Sequence, residues 1–420
     1  MRILRYDELK EEFLFRKKSA PSFLVNKIIN DVRKYGDEAL RKYTLKFDGV
    51  DIKDFRITEE ELEDAYKIMD STIINSIRKS RKNIERFCRC QLKQLRNFKV
   101  EIAPGVIAEQ RILPIERIGI YVPGGRFPLV STVLMCGVPA IVAKVKEVVL
   151  CSPPGYNNTI HPRVLGTAKL LGIKEIYKIG GIQAIASLAY GTETIRPVDK
   201  IFGPGNIYVT TAKKIVFGDV GIDFIAGPTE ILIIADDSAE PSIIAADLLA
   251  QAEHDTNAIP ILVTDSPKLG IGVKEEIKRQ LVSLKTREIA EKSIRKNGMI
   301  ILVENLDEAI DFANKKAPEH LELQVKNPKM FIAKLKNYGS LFIGRYASEV
   351  LGDYSSGLNH TLPTNRSARY TGGLHIKDFL KFQTILRVNK KGLKIIGPIA
   401  ESLAQIEGLD GHLNSITIRR

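Results

Sequence analysis

Between residues 117 and 236 the chain repeats one pattern: a short apolar run, a glycine-rich turn, then apolar positions at helical spacing. Run 118–122 enters Pro123-Gly124-Gly125, and run 148–151 enters Pro153-Pro154-Gly155. Run 175–179 enters Gly180-Gly181 and a helix from Ile182. Run 200–202 enters Gly203-Pro204-Gly205-Asn206 and a helix through Ala212 and Ile215. Apolar runs of this length suit strands buried on both faces, and their alternation with helices suits a parallel sheet. The pattern predicts a doubly wound α/β unit. Runs 230–236, 259–264 and 299–303, with a helix from Pro241 to about Glu253, predict a second one.

The first hundred residues read differently. Val25, Ile28, Ile29, Val32 and Leu40 recur at helical spacing, and Thr58 with Glu61 forms a capping box before Leu62, Ala65 and Ile68. The tail from about Leu374 reads as helical, with a short strand expected at 415–418. The longest uncharged run, 127–143, has 17 residues and contains Pro128, Gly137 and Pro139. That is short of the ~20 apolar residues that span a bilayer, so a buried helix is expected. The N-terminus alternates charged and apolar residues and has no apolar signal core. These features predict a cytoplasmic protein with no membrane partner.

Composition adds two constraints. Four Cys in 420 residues make no disulfide framework, and Cys136 and Cys151 fall in apolar runs as small core residues. The formal net charge is +13, and nine Lys or Arg against one acid fall between Asn75 and Lys99. Such a stripe could attract nucleic-acid phosphates. It also fits a solvated helix face with Ile77, Ile84, Phe87 and Leu95 turned inward. No stacking aromatic motif or zinc finger accompanies it, which favours the solvated face and leaves nucleic acid an unlikely partner.

The glycine-rich turns suit a phosphate-bearing cofactor, because glycine lets backbone N–H groups approach it closely. Yet Gly203-x-Gly205 has Tyr208 where a dinucleotide fingerprint needs a third glycine, and no Walker A pattern exists. The histidines are more informative. Five of the six lie beyond residue 250. Gln251 and His254 stand three apart, Glu319 precedes His320, Asp353 and His360 flank a glycine-containing loop, and Glu407 and His412 flank two glycines. A His from each of two elements plus an Asp suits zinc, and an adjacent Glu–His pair suits general acid–base chemistry. A lone His of this kind is more often structural; four in such company are harder to dismiss. Residue chemistry alone does not single out Gln251 as a ligand. His161 and His375 lack such company and read as structural.

Taken in order, these segments resemble the histidinol dehydrogenase family. The matching stretches are Tyr121-Val-Pro-Gly-Gly125, Gly180-Gly-Ile-Gln-Ala-Ile185, Lys200-Ile-Phe-Gly-Pro-Gly-Asn206 and Ala226-Gly-Pro-Thr-Glu230. Asp247-Leu-Leu-Ala-Gln-Ala-Glu-His254, Ala317-Pro-Glu-His-Leu-Glu-Leu323, Gly352-Asp-Tyr-Ser-Ser-Gly-Leu-Asn-His360 and Glu407-Gly-Leu-Asp-Gly-His412 complete the set.

The resemblance implies an enzyme that oxidises L-histidinol to L-histidine through bound L-histidinaldehyde, using two NAD and one Zn2+ per subunit. It implies Gln251, His254, Asp353 and His412 as zinc ligands and Glu319 with His320 as the catalytic pair. Tyr121, Gln183 and Asn206 match NAD contacts. Thr229, Gln251, His254, His320, Asp353, His360, Glu407 and His412 match substrate contacts. Thr229 stands where the family usually has Ser and keeps the hydroxyl.

The implied fold is α/β: two incomplete Rossmann-like doubly wound domains, a helical N-terminal region and a small C-terminal domain exchanged in a homodimer. The expected divisions are an N-terminal extension (1–20), a catalytic and metal-binding unit (21–118 plus 230–373), an NAD-binding unit (119–229) and the exchanged tail (374–420). Glu407 and His412 would then reach the partner's active site. A dehydrogenase of the same family acting on another small polar alcohol is the alternative.

Overall fold

The computed structural model describes every residue except 10–19, Arg126 and Ala226. Half of the expected N-terminal extension, 10–19, therefore lies outside the described residues. Strand β1 (Arg2–Arg5) opens the chain, followed by helices α1 (Ser22–Asp48), α2 (Glu59–Lys67) and α3 (Ser71–Lys93). Strands β2 (Phe98–Ala103) and β3 (Val106–Pro114) come next. The first α/β unit runs β4 (Arg117–Tyr121), α4 (Val130–Val142), β5 (Glu147–Ser152), α5 (Pro162–Leu171), β6 (Glu175–Lys178), α6 (Gly181–Tyr190), β7 (Lys200–Phe202), α7 (Ile207–Val216) and β8 (Gly221–Ile222).

The second unit begins with β9 (Glu230–Ala235), α8 (Pro241–Ala252), β10 (Ile259–Thr264), α9 (Pro267–Leu281) and α10 (Arg287–Asn297). It continues through β11 (Met299–Leu302), α11 (Leu306–Lys316), β12 (His320–Gln324), α12 (Lys329–Ile332), β13 (Ser340–Ile343) and α13 (Glu349–Tyr354). Strand β14 (Leu380–Val388) and helices α14 (Lys390–Ile406) and α15 (Asp410–Thr417) end the chain.

Both units are parallel sheets with the same winding. The first has the order β6-β5-β4-β7-β8 and the second β11-β10-β9-β12-β13, with β1 added beside β11. In each, the first strand of the unit lies at the centre and the chain turns outward on either side of it. Side chains alternate between two cores. Ile231, Ile233 and Ala235 of β9 enter one, and Leu232 and Ile234 the other. Each of these Ile and Leu residues is fully buried, which contributes about 1.5–3 kcal/mol apiece.

The N-terminal helices cover the faces of the first sheet. Apolar residues of α1 bury in one core of the first sheet with Ile182, Ile185 and Leu188, and those of α3 bury in the other with α4. The reason is coverage: a parallel sheet needs both faces shielded. The Thr58–Glu61 capping box forms as expected. The basic face of α3 is solvated, but Phe87 is exposed on it rather than packed inward. No helix among the described residues is long and apolar enough to cross a membrane.

Two readings of the tail need correction. The segment 380–388 is a strand, β14, which pairs antiparallel with β3 in a sheet completed by β2. The segment expected as a strand at 415–418 belongs largely to α15. There Leu413 and Ile416 are spaced for one helical face, and Ile416 approaches Gly397 of α14.

Candidate active site

The amino ends of β9 and β12 lie side by side, with His320 in register with Ile231. Helix α11 ends at Ala317, whose φ of 47° turns the chain sharply through Pro318 to Glu319 and His320. This turn sets Glu319 against the start of β9. Its Oε2 accepts hydrogen bonds from the Thr229 hydroxyl at 2.6 Å and from the Glu230 N–H at 2.9 Å. The Gln251 amide, near the end of α8, donates to the Thr229 hydroxyl. His320 Nδ1 lies 3.2 Å from the Glu230 carbonyl. A buried Lys316–Glu230 ion pair ties the end of α11 to the start of β9.

Helix α13 closes the other side. Asp353 Oδ1 is 3.6 Å from His320 Nε2, and Glu319 Oε2 is 3.7 Å from His320 Nδ1. The loop after α13 is held by α3: the Ser80 hydroxyl donates to the Tyr354 carbonyl, and the Asn83 amide donates to the Ser355 carbonyl at 2.7 Å. Gly357 is required there. Its φ is 92°, and a Cβ would come within 2.7 Å of the Asn83 carbonyl oxygen.

The electrostatics follow from burial and crowding. Burial pulls the His320 imidazole down, but the carboxylates of Glu319, Asp353 and Glu349 outweigh it and lift it to about 10. Burial pushes Glu319 up to about 7 against the pull of His320 and its hydrogen-bond donors. Burial lowers both His254 and His360, which favours the neutral imidazole that a metal-binding His254 requires. Burial alone would raise Asp353, but His320, His360 and His254 around it hold it below the usual carboxylate range.

The donor set fits a cation. Gln251 Oε1, His320 Nε2 and both Glu349 oxygens are buried without hydrogen-bond partners. Ligand atoms of His320, Glu349 and Asp353 lie within 4.8 Å of one another. Buried polar atoms left unpaired are costly, so the closeness of His320, Glu349 and Asp353 fits a charged guest.

Of the residues expected from sequence, Thr229, Gln251, Glu319, His320 and Asp353 are linked directly, and His254 and His360 act on the same charges. Glu407 and His412 are exposed on the C-terminal helices. Glu349 was missed. The signal was available: Ser348 before a helix, then Glu349 and Asp353 four apart on one face.

The remaining expected residues sit near the carboxyl ends of the first sheet's strands. Gln183 is 1% exposed, and both its amide atoms lack partners. Tyr121 Oη accepts the Gly181 N–H at 3.1 Å. Asn206 caps α7 through its side-chain oxygen. The glycines divide by role. A Cβ at Gly124 or Gly180 would meet Pro153 at 2.2 or 2.3 Å, so these two are small for packing. Gly125 and Gly155 have open space and line the turns a phosphate could approach. The unpaired Gln183 amide and these turns fit a dinucleotide.

A family model described as Histidinol dehydrogenase matches residues 16–420. A curated histidinol dehydrogenase of Geobacillus kaustophilus is 46% identical over 392 residues, covering 93% of this chain and 92% of that protein. The one from Methanocaldococcus jannaschii is 46% identical over 395 residues, covering 94% and 91%. The crystal structure of histidinol dehydrogenase from Elizabethkingia anophelis superposes with a TM-score of 0.94 at 40% identity, covering 100% of this chain and 98% of that one.

Proposed function

The chain belongs to the histidinol dehydrogenase family, and on that premise we propose that it oxidises L-histidinol to L-histidine in two steps through a bound aldehyde. It is an NAD-dependent oxidoreductase of histidine biosynthesis, and each turnover uses two NAD. The observation that carries this reading is the buried chain of contacts Gln251–Thr229–Glu319–His320–Asp353. Gln251, His254 and Asp353 would hold one zinc ion per subunit, with His412 supplied by the partner subunit of a homodimer in which residues 374–420 are exchanged. Exposure of Glu407 and His412 on the tail supports that exchange, since both would then be free to enter a partner's site. The first unit, through Tyr121, Gln183 and Asn206, would bind NAD. Cytoplasmic location fits the four free cysteines.

A zinc ion held by Gln251, His254 and Asp353 would supply a fixed positive charge that orients the substrate and would lower the His320 imidazole toward the range of a working base, and NAD held by the first unit would supply the hydride acceptor. The residues of the chain do the rest. Thr229, His360 and Glu407 orient the substrate amine and imidazole. His320 takes the hydroxyl proton as the carbinol carbon gives up its first hydride. Glu319 then takes a proton from water as that water adds to the aldehyde carbon, while His320 returns its proton to the aldehyde oxygen, which forms the hydrate and restores the neutral imidazole. His320 accepts the hydrate's hydroxyl proton as the second hydride leaves, and the carboxylate forms. The closed surroundings keep the aldehyde from side reactions.

Steady-state histidinol oxidation with and without a chelator tests the reading. Activity lost to chelator and restored by zinc is expected; full activity in metal-free enzyme would reject the metal role.

A further inference from the structure

Behind this cluster lie two buried acids that the chemistry above does not use. Strand β12 alternates faces, so His320, Glu322 and Gln324 point the same way. They face Asp247, one turn before Gln251 on α8. The Gln324 amide donates to Asp247 Oδ2 at 3.2 Å and to Glu322 Oε2 at 2.8 Å. The Ser348 hydroxyl, at the start of α13, donates to Asp247 Oδ1 at 2.8 Å. The Glu349 N–H, in the first turn of α13, donates to Glu322 Oε1 at 3.0 Å. Two carboxylates cannot both stay charged in such a place. Burial and the Asp247 charge hold Glu322 well above the usual range, and burial also raises Asp247, which hydrogen bonding to Ser348, Glu322 and Gln324 offsets in part.

This acid pair ties three elements together, and each carries part of the active site. Gln251 lies four residues beyond Asp247 on α8. His320 lies two before Glu322 on β12. Asp353 lies four beyond Glu349 on α13. An apolar pair would fill the same space at no loss of stability, but it would not fix the register of a helix, a strand and a second helix. We propose that Glu322 and Asp247 are positioning residues that hold Gln251, His320 and Asp353 in the arrangement that binds the metal ion. The inference rests on the ligand set proposed above.

The test is the rate of zinc loss to a chelator from the full-length, zinc-loaded enzyme. Glu322→Leu should lose zinc roughly 10–100-fold faster than the unaltered enzyme, the usual effect of removing a residue that orients ligands. Glu322→Gln should stay within about threefold, because its amide still donates to Asp247 and its carbonyl still accepts from Glu349. Asp247→Asn should behave like Glu322→Leu, since its amide would face the donors of Ser348 and Gln324. Asp353→Ala serves as the control. If Asp353→Ala loses its zinc while Glu322→Leu retains it normally, the positioning role is wrong and the ligand set stands. If Asp353→Ala itself retains zinc, the ligand set is wrong and this inference falls with it. Should Glu322→Leu fail to fold, equal zinc loss by Glu322→Gln and Asp247→Asn overturns the proposal, and faster loss by Asp247→Asn supports it.

Discussion

His320 Nε2 faces Asp353 Oδ1 at 3.6 Å, while its other ring nitrogen sits 3.7 Å from Glu319. The imidazole thus stands between a carboxylate proposed to hold metal and one proposed to activate water. Its position argues that one histidine serves both oxidations and that Glu319 serves only the second.

That division gives the first prediction. His320→Asn should slow both oxidations by about 10²–10⁴-fold, the range for loss of a positioned acid–base group. Glu319→Gln should slow the aldehyde step by a similar factor and leave alcohol oxidation much less affected. Single-turnover assays started from alcohol and from aldehyde check this. Equal losses for both variants at both steps would refute it.

The proposed exchange of residues 374–420 between subunits predicts complementation between inactive variants. In a mixed dimer of Glu319→Gln and His412→Ala subunits, one of the two sites would be built entirely from intact residues. Random mixing should restore about a quarter of full activity, since half the dimers are mixed and each has one good site. Activity measured after unfolding and refolding the two together checks it; no recovery would mean that the tail serves its own subunit.

Asp48 predicts a pH-dependent stability change. Burial raises its carboxyl to about 6, and its Oδ2 lacks a partner. A carboxyl whose folded value exceeds its unfolded value favours folding only while protonated. Stability from this group is therefore present near pH 4 and lost as the pH rises through 6. Asp48→Asn should match the unaltered protein near pH 4 and exceed it near pH 8 by about 1–2 kcal/mol, after allowing for partial solvent screening. Thermal unfolding at the two pH values measures this, and equal stability at both would exclude it.

Two glycines of the first sheet should respond oppositely. Gly203 has a φ of 114°, and a Cβ there would lie 2.1 Å from the Tyr121 carbonyl oxygen. Gly203→Ala should destabilise by at least about 2 kcal/mol and weaken NAD binding. Gly155→Ala, with open space around it, should stay within about 0.5 kcal/mol. Denaturant unfolding and NAD titration of both variants decide the matter.

The sheets were legible because their strands are nearly continuous apolar runs, as in Glu230–Ala235, and because glycine turns mark where they end. Strand β14 was not. Leu380, Phe382 and Ile385 mix with Lys381, Gln383 and Arg387 in a pattern that suits either a helix or an exposed strand, and only pairing with β3 decides it. The docking of α1 and α3 on the first sheet depends on which face lacks cover, which no local pattern states. The candidate site was legible as residue types in order. Its position at the amino ends of β9 and β12 was not, because glycine turns draw attention to the carboxyl ends. Glu349 escaped notice because an acid near a helix start usually signals only a favourable helix dipole.

The central claim is that one site carries the substrate through both oxidations. The most direct measurement is the amount of NADH formed when a limiting, known amount of L-histidinol is consumed to completion, with products identified. Two NADH per histidinol, with histidine as product and no free aldehyde, is the predicted result. One NADH per histidinol, with aldehyde released, would contradict the account.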